Sequence, residues 1–373
     1  MQGIIGHEKV AQLLARAAAS GRLARAYLIA GPPSVGKVTL ALAVARTALC
    51  LASPDKRPCG ACRSCRRIER RSHPDVLLVE GGQSLGDADA PPARSRIIPI
   101  EHVRAVRQAA ALSPLEGRAR FFIIRNAEDL RPDAADALLK TLEEPPPSAH
   151  FILTTTDAML LVPTLVSRCQ RLVLRPVPTE QIGAALRQRT SLADGEVERI
   201  ARLAQGRVGW ALRAGQNARF RAAHDALRER LIELCAAGDQ ARLAQAAELA
   251  ERYERDRRAL EEPLRVWATL WRDVLLAALG CDAMLTNVDL QPRLNELARR
   301  LGPAAASRYL WRIAETARLI YGDVYGYLAP DGLTAEPPVG GLPYAALWPT
   351  GGANARLALD ALFLDTPRLA EAA

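Results

Sequence analysis

A parallel α/β domain built around a phosphate-binding loop, followed by helical domains, is the architecture that the sequence predicts. Three observations predict it. Apolar runs of strand length at 26–30, 76–79, 121–124, 151–154 and 172–174 alternate with helical periodicity through the first half of the chain, the pattern of a parallel sheet flanked by helices. The first run leads into Gly31-Pro-Pro-Ser-Val-Gly36-Lys37 and then into Thr39-Leu-Ala-Leu-Ala-Val-Ala, the strand, loop and helix order of a P-loop. After Pro176-Val-Pro178 the strand signals stop and only helical spacing continues.

These boundaries define three segments. Residues 1–178 form the α/β domain, with a cysteine-bearing module at 50–65. Residues 179–216 hold three short helices: Thr179 or Glu180 opens one, Asp194-Gly-Glu another, and Gly206 and Gly209 punctuate before a third over 210–214. Residues 217–373 carry long amphipathic patterns at 220–236, 241–253, 260–279, 289–301 and 303–319, without an internal repeat, and predict an all-helical domain. The stretch 321–350 is rich in Gly and Pro and predicts a surface excursion. Helical spacing resumes over 354–364, with Leu357, Leu359, Leu362 and Phe363 available for burial.

Composition narrows the functional classes. At 373 residues the chain has ample material for cores and is no small stapled scaffold. Its formal charge is +9, carried almost wholly by arginine, since Lys9, Lys37, Lys56 and Lys140 are the only lysines. A basic balance favours approach to nucleic acid, but arginines scattered along helices argue against direct reading of a base sequence. No run of eighteen apolar residues appears, and the first residues lack the pattern of a signal peptide. A cytoplasmic location without a membrane is therefore expected. In that compartment the seven cysteines are not expected to form structural disulfides.

Four of those cysteines are clustered. Cys59-Gly-Ala-Cys62-Arg-Ser-Cys65, with Cys50 at the end of the preceding helix, brings four thiols into one short excursion. Thiolates with two-residue spacers suit tetrahedral Zn2+, and four protein ligands close the site, making it structural. Free surface thiols and an iron–sulfur cluster are the alternatives. His73 and Cys169 read as packing or hydrogen-bonding residues.

The P-loop carries its own departures. Gly31 and Gly36 free the backbone to wrap phosphate, and Lys37 would neutralise its charge. The hydroxyl that normally follows the lysine to hold metal is replaced by Val38, and Thr39 points about a hundred degrees further round the helix. The strand at 121–124 ends in Arg125-Asn126 where a metal-binding acid would be needed. ATP or ADP binding is left open, and a ligand-free strand-to-helix turn is the alternative.

Further phrases are Ile4-Ile-Gly-His7, Ala26-Tyr-Leu, His73-Pro-Asp75, Ala137-Leu-Leu-Lys-Thr-Leu-Glu-Glu-Pro-Pro146 and Pro163-Thr-Leu-Val-Ser-Arg-Cys-Gln170. Together they resemble the clamp-loader branch of AAA+ proteins, and within it the delta-prime type of bacterial DNA polymerase III subunit. The resemblance is strong over residues 1–215 and extends beyond them only in layout. It implies an AAA+ domain, a helical lid at 179–216 and a helical collar at 217–373. It also implies that Arg168, in Ser-Arg-Cys, is an arginine finger offered in trans to ATP on a neighbouring subunit. An ordinary surface ion pair is the alternative for that arginine.

The departures from the family pattern select a role. The family's ATPases carry adjacent acids after the strand and an arginine in a Gly-x-x-Arg phrase, whereas this chain has Arg125-Asn126 and Gly206-Arg-Val-Gly209. With Val38, three elements of hydrolysis are missing, so no intrinsic ATPase is expected; Arg207 would reach phosphate only with a shifted helix register. Glu143 and Glu144 diverge near a helix end and read as structural or interface residues, with Pro145 to Pro147 ending the helix. The implied partners are gamma/tau-type ATPase subunits and a delta subunit, with the sliding clamp and primer-template DNA reached through the complex. An ATP-hydrolysing subunit of the same loader and a stand-alone zinc-bearing DNA-repair protein are the rival readings.

Overall fold

The computed structural model describes residues 3–82, 97–256, 258–321 and 354–367. Of the Gly/Pro-rich stretch predicted at 321–350, everything from 322 onward lies outside the described residues. The chain divides into two compact units, Met1–Gln188 with Ala204–Ala211, and Arg189–Leu203 with Leu212–Ala373.

The first unit is built on five parallel strands, β1 (Ala26–Ala30), β2 (Val76–Val79), β3 (Arg120–Ile124), β4 (Ala149–Thr155) and β5 (Gln170–Val173). All five overlap the predicted runs, with β4 and β5 each beginning two residues earlier than predicted. Their order is β2-β3-β4-β1-β5, and every residue of the three central strands is buried. Continuous apolar runs are what a parallel sheet covered on both faces requires.

Alternation along the strands divides two cores. Leu28, Phe122, Ile124, Phe151 and Leu153 join Val103 and Val106 of α4 (Ile100–Ala111) and Leu138 and Leu142 of α5 (Pro132–Glu143) on one face. The Phe122 and Phe151 rings stack there at 5.2 Å. On the residues between, Phe121 stacks on His150 at 5.1 Å. α1 (Glu8–Ala19) packs against α2 (Lys37–Ala48), which itself lies on β3 and β4. Two short helices complete the α/β elements, α3 (Arg63–Glu69) after the cysteine loop and α6 (Pro163–Ser167) before β5.

The strand order reverses at β1, which sits between β4 and β5. The segments leaving the C-terminal ends of β1, β3 and β4 therefore converge, as at the switch point of open α/β sheets. Gly31 donates its N–H to the Thr155 carbonyl at 3.2 Å, so the phosphate loop begins as an extension of the β1–β4 ladder.

Beyond β5 the structure is helical: α7 (Thr179–Arg189), α8 (Asp194–Ala204), α9 (Val208–Gln216), α10 (Ala218–Ala236), α11 (Asp239–Arg255), α12 (Glu261–Ala278), α13 (Gln291–Tyr321) and α14 (Ala355–Leu364). The two helices predicted at 289–301 and 303–319 run together as α13, with a break at Gly302 (φ 72°, ψ 170°) just before Pro303. The core of the second unit is Trp267, Trp271, Tyr309, Leu359, Leu362 and Phe363 with surrounding aliphatic residues. Leu357 departs from expectation and is 55% exposed. Two helical steps turn it about 200° from Leu359, so both cannot face one core.

Arg242 and Asp273 are sealed inside this unit. Arg242, fully buried, donates to the carbonyls of Leu234, Cys235 and Thr366, tying the end of α10 to the segment after α14. Asp273, also fully buried, accepts from the backbone N–H groups of Thr286 and Asn287 and from the Asn287 amide. Burial pushes its carboxyl above the ordinary range despite those bonds.

Candidate functional site

The loop at 31–37 turns through left-handed backbone. Gly31 (φ 151°), Ser34 (φ 59°) and Gly36 (φ 109°) carry positive φ, and Gly36 opens α2. A Cβ at residue 31 would lie 2.3 Å from the Leu174 carbonyl oxygen, so this position admits only glycine. Lys37 is buried, and its ammonium donates to the carbonyls of Gly31 and Pro32, the latter at 2.9 Å. Thr39 lines a groove with Ile4, Leu42, Ala43 and Arg46, closed on its other side by Ile68 and Glu69 of α3.

The segment Gly206 to Gly209 reaches this loop. Gly206 (φ 80°) accepts the Val177 N–H at 3.0 Å, and a Cβ there would sit 2.3 Å from the Pro176 Cβ. Arg207, the residue considered for phosphate, is buried with its Nε on the Ala204 carbonyl and its guanidinium 5.1 Å from the centre of the Trp210 ring. Sequence punctuation signalled the two glycines but not that each answers a close approach of backbone.

At the neighbouring strand ends, Arg125 pairs with Glu80 at 2.7 Å. Asn126 (φ 54°) donates its N–H to the Thr154 hydroxyl. Glu128 accepts from both the N–H and the hydroxyl of Thr156.

The four cysteines converge. The Sγ atoms of Cys50, Cys59, Cys62 and Cys65 all lie within 4.8 Å of one another, with Cys50 and Cys62 at 4.0 Å. Four sulfurs on one zinc ion at about 2.3 Å stand about 3.8 Å apart, so the cluster fits that ion. Backbone N–H groups already point at sulfur: Cys59 to Cys50, Cys62 to Cys59 and Cys65 to Cys62, at 3.3–3.4 Å. The N–H groups of Cys62 and Ala61 lower the exposed Cys59 thiol to about 6. Burial pushes Cys65 up, and a coordinated cation would reverse that sign.

This module is braced to the sheet. Glu116 pairs with Arg67 of α3 at 2.6 Å and with Arg63 at 3.2 Å. The loop that carries Glu116 hangs on Asp75, whose buried carboxylate accepts the N–H groups of Leu115, Glu116 and Gly117 at 2.7–2.8 Å. Burial alone would raise the Asp75 carboxyl, but the three N–H donors outweigh it and hold the group below its ordinary value. His73 is buried with Nδ1 accepting the Asp75 N–H, and Cys169 packs in the sheet core. Both therefore do the packing and hydrogen-bonding work predicted for them.

Arg168 caps the C-terminal end of α6. Its guanidinium donates through Nη1 to the Thr164 carbonyl at 2.8 Å and through Nη2 to Glu143 at 2.5 Å. Glu143 ends α5 and Glu144 leaves helical geometry ahead of Pro145. No sequence signal links residues 25 positions apart, so this pair was visible only in the fold.

Among the described residues no helix is long and apolar enough to cross a membrane. Residues 6–178 match the family described as DNA polymerase III, delta subunit. The chain is 34% identical over 179 residues to DNA polymerase III subunit tau of Salmonella typhimurium, a stretch covering 48% of this chain and 26% of that one, so it spans about a quarter of that relative. It is 33% identical over 175 residues to DNA polymerase III subunit delta' of Bacillus subtilis, covering 47% and 49% of the two chains. Against subunit delta' of Escherichia coli the likeness runs through both units of the fold, with 30% identity over 285 residues, 76% of this chain and 79% of that one. With the sheet, the loop and the cysteine cluster in place and 79% of a delta' chain matched, this polypeptide belongs to the clamp-loader family of DNA polymerase III subunits.

Proposed function

We propose that this chain is a delta-prime-type subunit, the non-hydrolysing stator of a clamp loader that helps place the sliding clamp on primed DNA. One observation carries the reading: Arg168 is displayed at an exposed helix end, while the chain's own loop is followed by Val38 and its own strand by Arg125-Asn126. A guanidinium stays charged at working pH and can stabilise charge on transferring phosphate oxygens. The ligands that would hold metal beside its own loop are replaced.

In this reading Arg168 completes the ATP site of an adjacent gamma/tau-type subunit. Residues 179–216 act as a lid, and residues 217–373 pack with equivalent helical domains, including that of a delta subunit, into a collar. Cys50, Cys59, Cys62 and Cys65 hold a structural zinc ion. Gly31, Gly36 and Lys37 form a degenerate loop, and the arginine-rich surface approaches primer-template DNA through its phosphates.

Reconstitution with the ATPase and delta-type subunits and the clamp tests the reading. Arg168→Ala is expected to assemble normally and to depress clamp-dependent ATP turnover; unchanged turnover would overturn it. A second reading, an ATP-hydrolysing gamma/tau-type subunit, has in its favour the 34% identity to tau. Hydrolysis by the isolated chain that disappears with Lys37→Ala would select it.

A further inference from the structure

The Glu143–Arg168 contact joins two phrases that the sequence presents separately, Leu-Glu-Glu-Pro-Pro and Ser-Arg-Cys. Resting on the trans reading above, we propose that Glu143 is a positioning residue for Arg168, fixing the plane of its guanidinium before a neighbouring triphosphate arrives.

The argument begins with how each partner is held. α6 is only five residues long, and an arginine at its exposed end has many rotamers to lose on engaging a ligand. Two contacts from different directions restrict it: the Thr164 carbonyl one turn back on Nη1, and the Glu143 carboxylate on Nη2. The backbone of Glu143 is fixed, while its carboxylate is half exposed. Glu143 is the last residue of α5, a helix buried through Leu138 and Leu142, and Pro145 to Pro147 follow.

The carboxylate does not remove the arginine's charge, because guanidinium does not lose its proton in proteins. Of its five N–H donors the two contacts use two, leaving donors for a phosphate oxygen beside the carboxylate. An exposed pair of this kind contributes little to stability, so its effect falls on orientation, where small misplacements are costly to a reaction.

The reconstituted loader distinguishes the possibilities, with ATP turnover measured for wild type, Arg168→Ala, Glu143→Ala, Glu143→Gln and the Glu143→Ala/Arg168→Ala double variant. Glu143→Ala is expected to lower kcat roughly tenfold with KM little changed. Glu143→Gln keeps an acceptor oxygen and should restore most of the loss, and the double variant should be no slower than Arg168→Ala alone. If Arg168→Ala slows turnover while Glu143→Ala does not, or if the two losses simply add, the positioning role is overturned and the trans role stands. If Arg168→Ala has no effect, the trans reading falls and takes this inference with it.

Discussion

Gly209 donates its backbone N–H to the Ser34 carbonyl at 2.7 Å, and a Cβ built on Gly209 would stand 3.0 Å from that same oxygen. The first turn of α9 is thus stitched to the loop at 31–37 by main chain. This explains why Ala204–Ala211 belongs to the α/β unit although α8 and α9 otherwise belong to the helical one.

The stitch depends on Gly206. Its φ of 80° and the 2.3 Å approach to Pro176 make a side chain intolerable there. Gly206→Ala is expected to cost about 3 kcal/mol, read as a lower urea midpoint with unchanged m-value. A wild-type midpoint would show that this segment does not pack as described.

Zinc in the cysteine cluster should be measurable directly. Gently purified protein is expected to carry one equivalent by elemental analysis, and Cys62→Ser or chelation to lower the melting temperature of the α/β unit. Because Glu116 braces α3 to the loop at 115–117, amide exchange in that loop should also accelerate on chelation. Metal-free protein with full stability would refute the assignment.

Asp75 predicts a pH dependence of definite sign. Its folded carboxyl lies below the ordinary value, so its stabilisation is complete above the unfolded pKa of about 4 and is lost as pH falls through the depressed folded value. Asp75→Asn, which cannot accept all three N–H bonds, should cost about 2 kcal/mol at pH 7. The gap to wild type should shrink in acid, and a gap that widened would contradict the structure.

Tyr309 organises the second core. Its hydroxyl receives the Trp267 indole N–H at 3.1 Å, donates to the Leu362 carbonyl at 2.8 Å and lies 2.6 Å from the Thr366 hydroxyl. Tyr309→Phe would leave buried partners unmatched and is expected to cost about 2–3 kcal/mol by chemical denaturation. Indistinguishable curves would mean that water replaces the hydroxyl.

The sheet was legible because parallel strands buried on both faces must be apolar throughout, and Leu28, Phe122 and Ile152 sit in runs that meet that demand. The cysteine cluster was legible because its four thiols lie close in sequence. Long-range polar partners left no such trace. Asp75 meets Leu115 to Gly117 across 40 residues or more, and Arg228 meets Asn287 and Asp289 across about 60. Neither residue type nor periodicity encodes such pairings, which exist only once the elements have packed.

Arg242 gives the region near Thr366 a significance its position in the chain would not suggest. One of the three carbonyls around that sealed guanidinium is supplied 124 residues away, so deleting Thr366 would leave one of its N–H donors unmatched in the middle of the helical unit. Affinity tags and fluorescent fusions for single-molecule work should therefore be joined downstream of this threonine, since trimming back to α14 would take one hydrogen-bond acceptor from a buried guanidinium and weaken the helical unit.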